Sequence, residues 1–270
     1  MTPAGVTAKS AATEPVLLRD DKDGITTLTL NRPRQYNALS AAVLNELQGA
    51  FDAIALDKSV RVVVLAANGP AFCSGHDLKE MRANRTREFV ADLFGRCSRM
   101  MVTMTRIPQP VIARVHGIAT AAGCQLVATC DLAVASDTAT FATSGVNVGL
   151  FCATPGVALS RNVSRKRAME MLLTGDFIDA QTALDQGLIN RVVAQDKLDA
   201  AVHALADSIR AKSSVAIAAG KKLFYEQIDM DLDNAYRLAS EVISENMMKD
   251  DAAEGIDAFM QKRLPKWRGS

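Results

Sequence analysis

A run of small residues between two apolar segments could bring backbone amides against a ligand. Residues 119–123 are only alanine, threonine and glycine, and they lie between apolar residues at 111–115 and residues 125–130, whose spacing is amphipathic. Small residues at a strand-to-helix junction let a ligand approach the main chain, and the first N–H groups of a helix have no partner within it. The pattern predicts a backbone site for an anion or a polarised carbonyl oxygen.

The composition excludes several classes of partner. With 31 basic and 30 acidic residues the net charge is +1, so an anionic ligand must be held locally and we expect neither nucleic acid nor a membrane surface as partner. No apolar run approaches the roughly 18 residues of a membrane span. The five cysteines include no CxxC pair and are interpreted as reduced core thiols, not disulfides or metal ligands. We therefore expect a reducing compartment and predict a cytoplasmic protein.

The pattern of residues 15–54 predicts a β-hairpin followed by a helix. Two β-rich runs, 15–20 and 25–30, flank the turn signal Asp23-Gly24. Ser40 can cap the helix that follows. Five apolar residues recur there at helical spacing: Val43, Leu44, Leu47, Phe51 and Ile54.

The same order of elements continues along the chain. Residues 60–66 are typical of a buried strand, and Pro108 with Pro110 ends a long helix before a second strand at 111–115. The apolar stripe of that helix comprises Val90, Leu93, Phe94, Cys97, Met101 and Met104. After residue 136 we expect a short strand near Phe141, helices at 165–173 and 180–186, a last strand at 190–193, and only helices from residue 197.

These elements divide the chain into three parts. Residues 1–14 are polar and rich in alanine and threonine, and we interpret them as a disordered tail. Residues 15–195 are predicted to form an α/β core, and residues 196–270 a C-terminal helical region. The chain contains no proline-rich or serine-rich linker between the last two parts.

Four signatures, in order, resemble the enoyl-CoA hydratase/isomerase (crotonase) superfamily, and a fifth match lies near the C-terminus. They are Asn31-Arg32-Pro33 with Asn37-Ala38-Leu39; residues 71–79; His116-Gly117 through Cys130-Asp131; Phe141 to Gly149 with Pro155-Gly156; and Glu254-Gly255 to Phe259 with Lys262-Arg263. The resemblance covers residues 15–265. It implies a crotonase-like spiral of ββα units whose C-terminal helical region forms a homotrimer or a dimer of trimers.

The resemblance also implies a chemistry. The family binds acyl-CoA thioesters and holds the thioester oxygen with two backbone N–H groups, which correspond here to those of His76 and Ala122. Coenzyme A then enters as part of the substrate, and no tightly bound cofactor or metal is expected. One such donor is typically worth about 2.7–4 kcal/mol in mutational tests.

Two acid–base groups of the family are absent from this chain. Hydratases of the family carry two glutamates, at positions occupied here by Gln125 and Gly145, and an acid used by dienoyl isomerases is replaced by Ala153. A carboxamide cannot transfer a proton near neutral pH, and each missing group is worth about 10²–10⁴-fold in rate. We expect weak hydration, and we expect that restoring both glutamates raises it.

Several other residues are assigned to the site by the resemblance. Ser74, Gly75, Asp77, Leu78 and Ala121 accompany the two amides, and Asn147 with Cys152 could line the pocket. Arg34, Lys79 and Lys262 are expected near the phosphates of coenzyme A, the last reaching an adjoining subunit. An aromatic residue that stacks near the adenine in some relatives is replaced by Ile243.

Each side chain that could do chemistry also has a structural explanation. His76 could act through its imidazole or only through its backbone; Asp77 and Glu80 could cap a helix; Cys152 could be a nucleophile or a packed thiol. His116 is explained as part of a turn. His203 lies four residues from both Asp199 and Asp207, a spacing typical of a solvated helix face.

Two classes of function remain open. The first is a lyase or isomerase of the family acting on acyl-CoA with a weakened or different reaction, such as isomerisation, decarboxylation or thioester cleavage. The second is a non-catalytic acyl-CoA-binding or scaffold protein. A serine hydrolase built on Ser74 is excluded because no GxSxG elbow is present.

Overall fold

The computed structural model describes residues 14–270, so the tail predicted at 1–14 lies outside the described residues except for Glu14. The strands are β1 (Leu17–Lys22), β2 (Ile25–Leu30), β3 (Val62–Ala67), β4 (Ala71–Cys73), β5 (Val111–Val115), β6 (Ile118–Thr120), β7 (Leu132–Ser136), β8 (Thr140–Ala142), β9 (Ile178–Asp179) and β10 (Arg191–Val193). The helices are α1 (Ala41–Leu56), α2 (Leu78–Ala83), α3 (Arg87–Arg106), α4 (Ala122–Thr129), α5 (Ala153–Leu159), α6 (Arg165–Thr174), α7 (Ala180–Asp185), α8 (Leu198–Arg210), α9 (Ser214–Gln227), α10 (Leu232–Met247) and α11 (Asp250–Met260).

The strands form two sheets. The larger has the order β1-β2-β3-β5-β7-β10, and the smaller has the order β4-β6-β8-β9. β1 pairs with β2 as an antiparallel hairpin, and the strands from β2 to β10 in the larger sheet are parallel. Asp23 and Gly24 turn the hairpin with φ values of 51° and 78°, which confirms the predicted turn.

Helix α1 forms as its sequence predicts. The Ser40 hydroxyl accepts a hydrogen bond from the backbone N–H of Val43 at 3.3 Å and so caps the first turn. The five apolar residues predicted for its inner face are all buried. In α3, by contrast, Val90 and Phe94 of the predicted stripe are only half-buried, while Leu93, Cys97, Met101 and Met104 are in the core.

Both faces of the larger sheet are covered. Val63 and Leu65 of β3 point into the main core with α1, α3 and α4. Val62 and Val64 alternate to the other face, where they pack against Leu198, Val202 and Ala206 of α8. Helix α8 therefore completes the core of the α/β sheet, although it belongs to the region that the sequence assigned to the C-terminal helices.

Helix α4 is buried along its whole length, so the predicted amphipathic pattern at 125–130 is wrong. Every residue of α4, including Gln125, is buried. The helix packs against α3, α5, β4 and β6 and so has no solvent face to keep polar.

A buried ion pair ties α9 to the short segment that follows α4. Lys221 Nζ donates hydrogen bonds to Asp131 Oδ2 at 2.7 Å and to the carbonyl oxygens of Met104 and Gln109 at 2.8 and 2.9 Å. Tyr225 donates to the other carboxylate oxygen of Asp131 at 2.9 Å. All three donors of the ammonium group are thus used, as a buried lysine requires.

The five cysteines are buried and free of disulfides, as predicted. Within residues 14–270, histidine, cysteine and carboxylate side chains do not gather into a group of three that could hold a metal ion. In the same residues, no helix has both the length and the apolar character to cross a bilayer.

Candidate active site

Two glycines let the end of β4 approach the first turn of α4. A Cβ added to Gly123 would lie 2.0 Å from the carbonyl oxygen of Cys73, so only glycine permits this contact. A Cβ added to Gly75, whose φ is +95°, would lie 3.3 Å from the Ala122 nitrogen and 2.9 Å from the Ala121 Cβ. The segment around residue 75 therefore lies directly beside the amino terminus of α4.

The two amides assigned by the sequence are both unused at this junction. Around them, Ser74, Asp77 and Ala121 donate their backbone N–H groups to the carbonyls of Tyr36, Leu39 and Ala142 at 3.0–3.1 Å. The N–H groups of His76 and Ala122 donate to no acceptor in the described part of the chain. Free amides that lie next to a close-packed junction can hold an oxygen atom.

Ala121, the residue before the second amide, is held in a strained conformation. Its φ of 51° and ψ of −119° are rarely adopted by residues other than glycine. Backbone strain of this kind persists only where surrounding contacts fix it, and here the Ala121 N–H is bonded to the Ala142 carbonyl at 3.0 Å. The Ala121 methyl group lies against the space that glycine leaves open at position 75.

The segment 75–77 is bonded to residue 39 on both sides of His76. Leu39 donates its N–H to the Gly75 carbonyl at 2.8 Å and accepts the Asp77 N–H at 3.1 Å, as in a parallel bridge. Arg32 adds a second link, because its guanidinium donates to the Ala38 carbonyl at 2.8 Å and to Asp77 Oδ2 at 3.0 Å.

Asp77 and Glu80 have the capping roles that the sequence allowed. Asp77 Oδ1 accepts from the N–H groups of Lys79 and Glu80 at 3.2 Å. Burial raises the pKa of Asp77, but the helix amides and the Arg32 guanidinium outweigh it and lower that pKa below its usual value. Glu80 accepts the Ala41 N–H at 3.0 Å. Both carboxylates are therefore engaged in holding α2 and α1.

His76 is half-buried, and both nitrogens of its imidazole are buried. Burial lowers its pKa, an effect only partly offset by the nearby Leu39 carbonyl. Its ring contacts Phe94 edge-on, with centroids 4.7 Å apart. Both ring nitrogens lack a hydrogen-bond partner among residues 14–270. The side chain thus has hydrogen-bonding capacity that the surrounding protein does not use.

The two positions of the missing glutamates differ in the space around them. Gln125 is in the first turn of α4, 5% exposed, and its Oε1 atom is buried with no partner among the described residues. Gly145 begins a tight loop that Leu150 and Cys152 close over it. A Cβ there would lie 2.4 Å from the Leu150 carbonyl oxygen and 2.8 Å from Cys152 Sγ.

Cys152 is a packed thiol. It is buried, burial raises its pKa, and its sulfur accepts the Gly145 N–H at 3.3 Å. Asn147 is exposed and donates to the Gly175 carbonyl at 3.3 Å, which ties the loop to the end of α6. Within residues 14–270, neither residue forms a hydrogen bond with His76 or Ala122.

The predicted phosphate ligands are exposed cations on neighbouring segments. Arg34 and Lys79 are both exposed, and the Arg32–Asp77 pair joins the segments that carry them. Leu78, beside Lys79, is also exposed, whereas Ser74 is partly buried. Lys262 is exposed beyond α11, and Ile243 on α10 is 63% exposed.

The remaining histidines lie away from these amides. His116 Nε2 is 2.8 Å from the Gly69 carbonyl oxygen, consistent with its predicted place in a turn. Asp199, His203 and Asp207, predicted to form a solvated cluster, are all exposed on α8. Asp199 lies near His203 and also pairs with Arg114 of β5, while Asp207 pairs with Arg210.

Two residues that connect the segments of the candidate site, Asn37 and Arg32, were recognised in the sequence only as part of a family signature, without a role. Asn37 is buried, with a φ of 54°, and its side chain makes three hydrogen bonds of 2.8 Å, to the Arg32 N–H and the carbonyls of Asn68 and Ala71. Arg32 makes the cross-link to Asp77. A buried asparagine after a proline-containing turn was the available signal, since asparagine tolerates positive φ.

Comparisons with known proteins agree with the fold and the signatures. A family model described as enoyl-CoA hydratase/isomerase matches residues 20–270. A mouse protein named enoyl-CoA hydratase domain-containing protein 3, mitochondrial, is 49% identical over 246 residues, which are 91% of this chain and 82% of the relative.

Solved structures are similar over nearly the whole chain. A crystal structure of an enoyl-CoA hydratase from Mycobacterium smegmatis has 59% sequence identity and a TM-score of 0.93, and the match covers 94% of this chain and 99% of that one. The crystal structure of human enoyl-CoA hydratase domain-containing protein 3 has 47% identity and a TM-score of 0.91, over 93% of this chain and 100% of that one. The predicted crotonase-like fold is confirmed.

The predicted cytoplasmic location is contradicted. Relatives from mouse, human and Xenopus laevis that match most of the chain carry the word mitochondrial in their names. Reduced cysteines indicate only that a compartment is reducing and do not identify which compartment it is. In fold, signatures and sequence, the chain belongs to the enoyl-CoA hydratase/isomerase family.

Proposed function

We propose that this protein binds an acyl-CoA thioester and polarises its carbonyl group with the backbone amides of His76 and Ala122. The observation that carries the proposal is the pair of unused N–H groups on either side of the contact between Gly75 and α4. Amides fixed in a dry environment stabilise developing negative charge because they need no reorganisation when it forms.

The nucleotide of coenzyme A would lie on the side of Arg34 and Lys79. Both cations are exposed near the first amide and can meet phosphate oxygens. Lys262 of a neighbouring copy would add a third positive charge. Coenzyme A is then part of the substrate, and we propose no tightly bound cofactor.

Hydration of enoyl thioesters is expected to be weak. Gln125 cannot accept and return a proton, and the loop over Gly145 fills the space that a second carboxylate would need. The same closed loop favours the alternative that the protein binds acyl-CoA without turning it over. A lyase or isomerase reaction would have to use acid–base groups other than those two.

Binding and turnover can be measured separately. We expect crotonyl-CoA and longer acyl-CoA thioesters to give saturable heats in isothermal titration calorimetry, while hydration of crotonyl-CoA stays near the uncatalysed rate. Absence of binding at every chain length would refute both the enzyme and the binder. Hydration at the speed of an ordinary hydratase would refute the assignment of weak activity. Mass spectrometry of products from an acyl-CoA panel would then identify any other reaction.

We further propose that the protein assembles as a homotrimer or a dimer of trimers. Proteins of this family bind acyl-CoA and typically form trimers. Large apolar side chains on and after α10 and α11 are exposed in the single chain and need a partner surface; they include Leu232, Tyr236, Ile243, Phe259 and Leu264.

Light scattering coupled to size-exclusion chromatography tests this assembly. We expect a mass of three or six chains at micromolar concentration. Replacing the apolar Phe259 by Glu should lower the mass because a charge would be buried at the interface. The exposed Lys58, outside these helices, provides a control in Lys58→Glu, which should keep the native mass. A monomer under all conditions would contradict the proposal.

A further inference from the structure

We infer that Arg32 is a positioning residue, which fixes the direction of the His76 amide without touching the substrate. The inference rests on the proposed function, because it concerns how one of the two proposed amide donors is held. Arg32 would act through Asp77, the residue that directly follows His76 in the chain.

The first step is the bonding on either side of the His76 amide. Its preceding carbonyl group, that of Gly75, accepts the Leu39 N–H, and the following Asp77 N–H donates to the Leu39 carbonyl. The peptide that carries the His76 N–H is thus held through its Gly75 carbonyl, and the next peptide is held through the Asp77 N–H, both by a single residue of another segment. A rotation of that peptide would have to break at least one of these bonds.

The second step is the link made by Arg32. Its two terminal nitrogens donate to the Ala38 carbonyl and to the Asp77 carboxylate. The guanidinium thus cross-links the residues adjacent to the Leu39–His76 bridge. The side chains of Arg32 and Asp77 are only 20% and 14% exposed, and water screens the pair weakly. A planar fork with two donors in fixed directions suits this task, whereas a lysine offers one point charge.

The third step is the rigidity of the segment that Arg32 belongs to. Tyr36 and Asn37 both have positive φ, 49° and 54°, a conformation that is costly unless surrounding contacts impose it. The buried Asn37 side chain supplies three such contacts, one of them to the N–H of Arg32 itself. The backbone of Arg32 is therefore fixed by Asn37, and its guanidinium holds Asp77. Through Asp77, Arg32 can restrict the orientation of the neighbouring His76 amide.

Infrared spectroscopy of a bound thioester tests the inference. The probe is butyryl-CoA with an isotope-labelled thioester carbonyl, which has no double bond to hydrate. Carbonyl polarisation lowers the stretching frequency, and at saturating ligand this shift reports on the amides and not on affinity. We expect Arg32→Gln to lose most of the shift and Arg32→Lys to recover only part of it.

Two variants make the result specific. Arg34→Gln, two residues away, should weaken the affinity of the probe and keep the full shift at saturation, because Arg34 is proposed to meet phosphate. Asp77→Asn keeps a helix-capping side chain but loses the charged partner of Arg32, so it should reduce the shift while α2 stays folded.

The possible outcomes separate the two proposals. A full shift in Arg32→Gln, or an equal loss in Arg34→Gln, would overturn the positioning role and leave the proposed function intact. Binding of the probe to the unmodified protein without any frequency shift would refute the amide site itself. If Arg32→Gln proves unstable in circular dichroism, Asp77→Asn decides between the same alternatives.

Discussion

Replacing Gly75 by alanine is expected to abolish polarisation of a bound thioester. The new Cβ would lie 2.9 Å from the Ala121 Cβ and 3.3 Å from the Ala122 nitrogen, so the two segments that carry the amides must separate. The positive φ of +95° adds strain of about 1–3 kcal/mol for a residue with a side chain. Loss of one oxyanion donor costs about 10²–10³-fold in rate, and we expect a decrease of that order in any turnover.

Affinity and carbonyl frequency with labelled butyryl-CoA measure this effect. Gly187→Ala provides a matched control, because Gly187 also has positive φ, +83°, but meets only the Asn162 carbonyl at 3.5 Å and lies in the turn before β10. The control should lose similar stability in denaturant unfolding and keep the full frequency shift. Wild-type binding and a full shift in Gly75→Ala would contradict the proposed arrangement of amides.

Replacing Gln125 by glutamate is expected to create measurable hydration of crotonyl-CoA. The two side chains have the same shape, and the buried Oε1 of Gln125 has no partner among residues 14–270, so a carboxyl group fits without a new clash. Burial favours the protonated form and raises the pKa of such a group, which suits proton transfer near neutral pH. One acid–base group contributes about 10²–10⁴-fold, and we expect a gain near the lower end.

The second glutamate is not expected to add to this gain. The sequence alone suggested that restoring both glutamates raises hydration, but a side chain at 145 would overlap the Leu150 carbonyl and the Cys152 sulfur. The double variant Gln125→Glu/Gly145→Glu should therefore be no faster than Gln125→Glu, and less stable. Gln125→Met, with the same length and no exchangeable proton, is the control. Hydration by the double variant well above the single one would show that the loop can move.

Local patterns in the sequence predicted much of the fold. The Asp23-Gly24 turn, the Ser40 cap and the apolar spacing of α1 each depend on residues close together in the chain, and each is present in the structure. The small residues at 119–123 also indicated the junction between β6 and α4. Such features depend on intrinsic conformational preferences, which a single segment already contains.

Features that depend on distant segments could not be predicted in the same way. The burial of all sides of α4 results from the elements that surround it, α3, α5, β4, β5 and β6. The closure of the loop over Gly145 depends on where the carbonyl of Leu150 points, which no residue type specifies. The role of Arg32 depends on its contact with Asp77, 45 residues away. Spacing in the sequence carries little information about such contacts.

The buried pair of Lys221 and Asp131 bears on how the protein is made. A carboxylate enclosed beside α4 without its cation is costly, and its partner is supplied from a helix 90 residues later in the chain. During synthesis, the α/β segment emerges from the ribosome before that lysine exists. The nascent chain therefore passes through a stage in which the helix bearing Ala122 has no ionic anchor, and only the arrival of α9 completes it.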